Sequence, residues 1–161
     1  MITPTELLAA ILSVFLHSPA RQCIVDHGAQ IEHVFEMSRQ AYPEMPIEIV
    51  GAVGFAETHL GCDGREGGNW GAPISPTRRH VAGTPMQAAT AIWHSYQMCG
   101  TWEGAVRRFN TGVCGPTPRG NNYARIITGV VRRVRARVDA TRNLPVCSAT
   151  STRVFCSVGK Q

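Results

Sequence analysis

The sequence predicts a mainly α-helical protein, and three observations carry that prediction. Apolar residues recur at three- and four-residue spacing in most of the chain. Two segments, Thr3-Pro4-Thr5-Glu6 and Thr84-Pro85-Met86-Gln87, have the capping-box form with proline at the first helical position. Between them, residues 61–83 lose all helical period and fill with glycine and proline, which reads as a long loop or a small β-hairpin. At 161 residues the length is that of one domain able to close a core without metal or disulfide help.

Taken in order, the first capping box opens a helix over 3–16. Its "LLAAILSVFL" run has no preceding Lys or Arg, the first being Arg21, and is too short to span a bilayer. It is expected to be a folded helix rather than a signal peptide, so export would need another route. Residues 24, 31, 34, 35 and 42 carry a looser period, broken at Gly28 and stopped by Pro43. Pro46 opens the next helix, with Ile49, Val50, Val53 and Leu60 as its apolar stripe.

After the loop, the second capping box launches a helix with Ala89, Ile92, Trp93, Tyr96 and Cys99 on one face. A short helix follows with Trp102, Ala105, Val106 and Phe109 inward, ended by Asn110-Thr111-Gly112. The last long helix is expected from about Asn122, with Tyr123, Ile126, Ile127, Val130, Val134 and Val138 in line and Arg132 and Arg135 opposite. Residues 142–161 read as an appended hairpin or tail. The expected organisation is a single domain over 1–161.

The net charge of +5 and the isoelectric point near 9.1 favour a polyanionic partner: nucleic acid, a membrane surface or bacterial wall. Six cysteines without paired C-x-x-C spacing point to an oxidising compartment rather than zinc, with Cys99–Cys114 and Cys147–Cys156 as the local pairs.

One carboxylate breaks the pattern. Glu57 sits on the apolar stripe of its helix, near the C-terminal end. Desolvation and the negative end of the helix dipole both favour the protonated acid there, the form that glycosidic cleavage requires near neutral pH. The alternative is that Glu57 swings into solvent at a frayed end.

The order of features decides between these. A glutamate closing an apolar helix, a Gly/Asn-rich segment with Asn69-Trp70-Gly71, a capped helix, then "RRFNTG" and "YARII", together resemble the lysozyme-like superfamily, in particular the bacterial and phage lytic transglycosylases and goose-type lysozymes. The resemblance covers roughly 45–138, which becomes the expected catalytic core, with N-terminal helices over 3–42. It implies a lysozyme-like helical domain with the hairpin or loop beside the active-site helix. It also implies peptidoglycan glycan strands as partner and Glu57 as the acid. Asn110-Thr111-Gly112 would be the cleft floor and Tyr123 the tyrosine that opens a later helix. Thr58 stands where the family usually has Ser, and the family's Gly-Leu-Met-Gln motif is absent as such. Asn69-Trp70-Gly71 is similar to the Asn-x-Phe-Gly stretch of bacterial glucosaminidases.

Asp63 and Glu66 are the candidates for a second carboxylate, and neither has a spacing that fixes its geometry. The expected chemistry is therefore a lytic transglycosylase with Glu57 as general acid and base, Tyr123 orienting it, and Asn110 with backbone near Thr111 holding the sugar. Trp70 would stack on a sugar face or sit in the core, and Asn69 would bind sugar or serve a turn. Hydrolysis, or a chitinase-like activity, is the alternative on the same fold. Further rivals are a non-catalytic glycan-binding domain, a nucleic-acid binder built on the arginines of "VVRRVRARVDATR", and a Cys62 nucleophile beside His59, although disulfide pairing is the expected fate of Cys62. No cofactor, metal, transmembrane segment or specific nucleic acid is expected. The expected setting is the periplasm or outside the cell, as a monomer or within a wall-penetrating assembly.

Overall fold

A computed structural model describes residues 1–62 and 84–144, together with the backbone of 146–150 and 153–157. The protein is mainly helical: α1 (Pro4–Val14), α2 (Arg21–Asp26), α3 (Gly28–Ala41), α4 (Ile47–Thr58), α5 (Pro85–Cys99), α6 (Trp102–Thr111) and α7 (Pro118–Arg142). Both capping boxes form. Thr3 and Thr84 accept from the backbones of Glu6 and Gln87, whose side chains reach back to the cap N–H groups. Met86-Gln87 is thus a helix start. Two strands, β1 (Val146–Thr150) and β2 (Arg153–Ser157), pair antiparallel as a hairpin, with Cys147 opposite Cys156. The side chains of that expected pair lie outside the described residues.

The centre of the fold is α4. Every residue from 47 to 55 is buried, because α1, α3, α5 and α7 all pack around it. A helix enclosed on all sides must be apolar all round, and "IEIVGAVGF" is, apart from Glu48. Gly51 permits the closest approach: a Cβ there would stand 3.1 Å from Ile11 and 3.4 Å from Phe35. Around it Leu7, Ile11, Phe35, Val50, Val53, Ile92, Ile127 and Val134 form one continuous apolar cluster, each contributing roughly 1.5–3 kcal/mol by burial.

Glu48 is 7% exposed and is paired with Arg135 of α7, whose Nε donates to Oε1 at 2.7 Å. Sequence reading placed Arg135 on the outer face; its long side chain instead returns to cover a buried carboxylate.

Three boundaries or faces differ from expectation. α7 begins at Pro118, capped by Thr117, rather than near Asn122. Ile126 is 46% exposed and lies off the buried stripe of Ala124, Ile127, Val130, Val134 and Val138. On α5 the buried face is Ala88, Ala89, Ile92 and Ser95, while Trp93 and Tyr96 sit at its margin. There Tyr96 stacks on Trp102 at 3.8 Å and Trp93 on Tyr42 at 5.7 Å. These aromatics satisfy one another in a half-exposed column instead of entering the core. Among the described residues, no helix is long and apolar enough to cross a membrane.

Candidate active site

Glu57 occupies the last turn of α4 and is half-buried. Directly after it the chain takes three left-handed residues in succession: His59 (φ 50°), Leu60 (φ 60°) and Gly61 (φ 85°). The two that are not glycine cost roughly 1–2 kcal/mol each. Several contacts hold them. Leu60 is buried, its N–H donates to the Gly54 carbonyl at 2.9 Å, and the Gly61 N–H donates to the Thr58 hydroxyl at 3.0 Å. One residue later, Cys62 is disulfide-bonded to Cys23 of α2. The reversal therefore turns the chain sharply off the helix within a turn of Glu57 and fastens it to a neighbouring element.

The bond to Cys23 overturns the reading of Cys62 as a nucleophile, since a disulfide sulfur carries no thiolate. His59 packs edge-on against Phe55 and, with Phe15, Leu16 and His17, lines a cavity of about 450 Å³.

Opposite Glu57 stands Tyr123. Its hydroxyl donates to Glu57 Oε1 at 2.5 Å, a short hydrogen bond. Burial, then the neighbouring Glu57 charge, raise the Tyr123 pKa far above the usual phenol range. The hydroxyl thus keeps its proton and remains a donor at every physiological pH. Tyr123 reaches Glu57 across the packed α4–α7 pair, and α7 also meets α6 closely at Gly120, where a Cβ would lie 3.4 Å from both Arg107 Cβ and Thr111 Cγ2. Thr111 is thus packed one turn of α7 before Tyr123.

The turn that ends α6 is fixed from several sides. Gly112 adopts φ 80° as the C-cap, and Arg108 Nη1 donates to its carbonyl at 2.9 Å. The Thr111 hydroxyl donates to the Arg107 carbonyl at 2.8 Å, so a ligand would meet Thr111 through its backbone. Asn110 Oδ1 accepts from Arg119 Nε at 3.1 Å. The expected Cys99–Cys114 disulfide ties the following residues to the end of α5.

The structure therefore brings Glu57 and Tyr123 into contact and places Asn110 and Thr111 on a braced turn beside α7. Asn69, Trp70, Asp63 and Glu66 lie outside the described residues. Sequence reasoning missed Arg119 and the Cys23–Cys62 bond. The Thr117-Pro118 cap was the available signal for the first, because it moves the start of α7 back to include Arg119.

The arginines of α7 are partly engaged within the fold. Arg135 pairs with Glu48, Arg142 with Glu6, Arg125 donates to Asn122, and Arg133 lies over the Phe15 ring. Among the described residues no three His, Cys, Asp or Glu side chains converge as a metal site. Comparison of the chain with known protein families, curated proteins and solved structures gives no significant match.

Proposed function

We propose that the protein cleaves the β-1,4 bond between N-acetylmuramoyl and N-acetylglucosaminyl residues of peptidoglycan, as a lytic transglycosylase of lysozyme-like fold with Glu57 as its general acid and base. The observation that carries this reading is the Tyr123–Glu57 hydrogen bond, which joins the two residues that the family resemblance had singled out independently.

The bond also assigns roles to the two carboxyl oxygens. Tyr123 donates to Oε1, so the transferable proton belongs on Oε2. Oε2 gives it to the glycosidic oxygen as the bond to C1 breaks. The Oε1 contact then stabilises the resulting carboxylate. The muramoyl 6-hydroxyl attacks C1, its proton returns to Glu57, and a 1,6-anhydro ring closes. Such a cycle needs one carboxylate only. Hydrolysis is the second reading, with Asp63 or Glu66 as the group that would activate water.

Peptidoglycan strands lie outside the cytoplasm, and the Cys23–Cys62 and Cys99–Cys114 disulfides suit a protein that works there. The test is mass spectrometry of products released from purified peptidoglycan. Wild type should give anhydro-muropeptides, and Glu57→Gln, which keeps shape and loses the acid, should release them at least ~100-fold more slowly. Reducing-end products would favour hydrolysis, and release that is equal in both proteins would defeat the assignment.

A further inference from the structure

Asn110 is held in a way that gives its amide one polarity. Its only described side-chain partner is Arg119, in the first turn of α7, which donates from Nε at 3.1 Å. A guanidinium has donors and no acceptor, so the amide oxygen must be the atom turned towards α7. The –NH₂ is then turned away, with no partner among the described residues. Elsewhere in the turn the Thr111 hydroxyl and the Gly112 carbonyl are already engaged.

We propose that Arg119 is a positioning residue that makes Asn110 a hydrogen-bond donor to substrate, and that the group received is the carbonyl oxygen of a sugar N-acetyl group. Sugar hydroxyls both donate and accept, so they pair with either orientation of an amide. A group that only accepts requires the orientation that Arg119 imposes, and the N-acetyl carbonyl is the strong acceptor of that kind that both sugars of the strand carry. The inference rests on the glycan-cleaving reading of Glu57.

The experiment compares Arg119→Ala, Arg119→Glu, Asn110→Ala and the Arg119→Ala/Asn110→Ala double variant on soluble peptidoglycan strands, intact and chemically de-N-acetylated. On intact strands Arg119→Ala should raise KM about 5-fold and change kcat less than about 2-fold, the range expected for one oriented hydrogen bond. Arg119→Glu, which accepts and so reverses the Asn110 amide, should raise KM further. In the Asn110→Ala background Arg119→Ala should add nothing. On de-N-acetylated strands wild type and Arg119→Ala should have the same KM.

An unmoved KM in Arg119→Ala, an effect that persists without Asn110, or an equal effect on de-N-acetylated strands would overturn the proposal while wild type remains active and dependent on Glu57. A wild type that releases nothing, or a Glu57→Gln variant as active as wild type, defeats the catalytic reading and this inference together.

Discussion

Tyr123 and Glu57, 66 residues apart in sequence, share one hydrogen bond of 2.5 Å between the first turns of α7 and the last turn of α4. The phenol donates a hydrogen bond to one carboxyl oxygen, and the other has no side-chain partner among the described residues.

Tyr123→Phe keeps the ring and removes that donor. Activity on peptidoglycan should fall about 10-fold or more, as expected for a charge-assisted bond worth roughly 1.5–3 kcal/mol. Stability should change in a pH-dependent way. The folded-state pKa of Tyr123 is raised, so its contribution is fully present below the unfolded value and is lost as pH rises past about 10. Thermal melts should therefore show wild type declining more steeply than Tyr123→Phe on the alkaline side.

Glu6 controls the acid side. Its carboxyl is lowered from 4.5 to about 2, first by the hydrogen bond from Arg142 and then by the Thr3 backbone N–H. A depressed folded pKa gives stability that is present above the unfolded value and lost as pH falls from 4.5 towards 2. Glu6→Gln should melt lower than wild type at pH 7, and the gap should close by about pH 2. A constant gap across that window would show that the charge has no part in it.

Arg135→Met leaves Glu48 buried without its partner. Denaturant unfolding should register a loss of about 1–3 kcal/mol, and the double variant with Glu48→Gln should recover part of it. Strict additivity would mean that the two side chains do not act as a pair.

Replacing Cys23 and Cys62 by serine removes the bond that secures the left-handed residues after Glu57. The loss in stability should be about 2–4 kcal/mol. Activity should fall further than the unfolded fraction accounts for, because relaxation of His59 and Leu60 shifts the end of α4. Circular dichroism and product release at the same temperature separate the two effects.

Much of this was legible in the sequence, for local reasons. Thr3-Pro4 and Thr84-Pro85 announce their helices because a cap is satisfied within four residues. Glu57 was conspicuous because a carboxylate on an apolar stripe is costly, and Cys99–Cys114 closes over one short helix, 15 residues apart in sequence. What escaped was non-local. Nothing near Cys62 points to Cys23, 39 residues before it. Glu48 reads as an ordinary acidic first-turn residue until α7 arrives with Arg135. Trp93 and Tyr96 fit a core stripe by period, but aromatic stacking with Trp102 and Tyr42 gave them another resting place. Arg119 was missed because the onset of α7 was placed one turn late.

The two polar contacts between α4 and α7 have a joint consequence. Glu48 meets Arg135 near one end of α4 and Glu57 meets Tyr123 near the other, so the helices run antiparallel. The stretch between them is filled by shape-tolerant aliphatic side chains. Valine and isoleucine ridges by themselves would accept more than one sliding register, each step being about one helical turn of 5.4 Å. Two directional bonds, roughly two and a half turns apart on α4, admit only one. The remote pair thus acts as the far jaw of a caliper, and the gap it gauges is the one between the tyrosine hydroxyl and the acid.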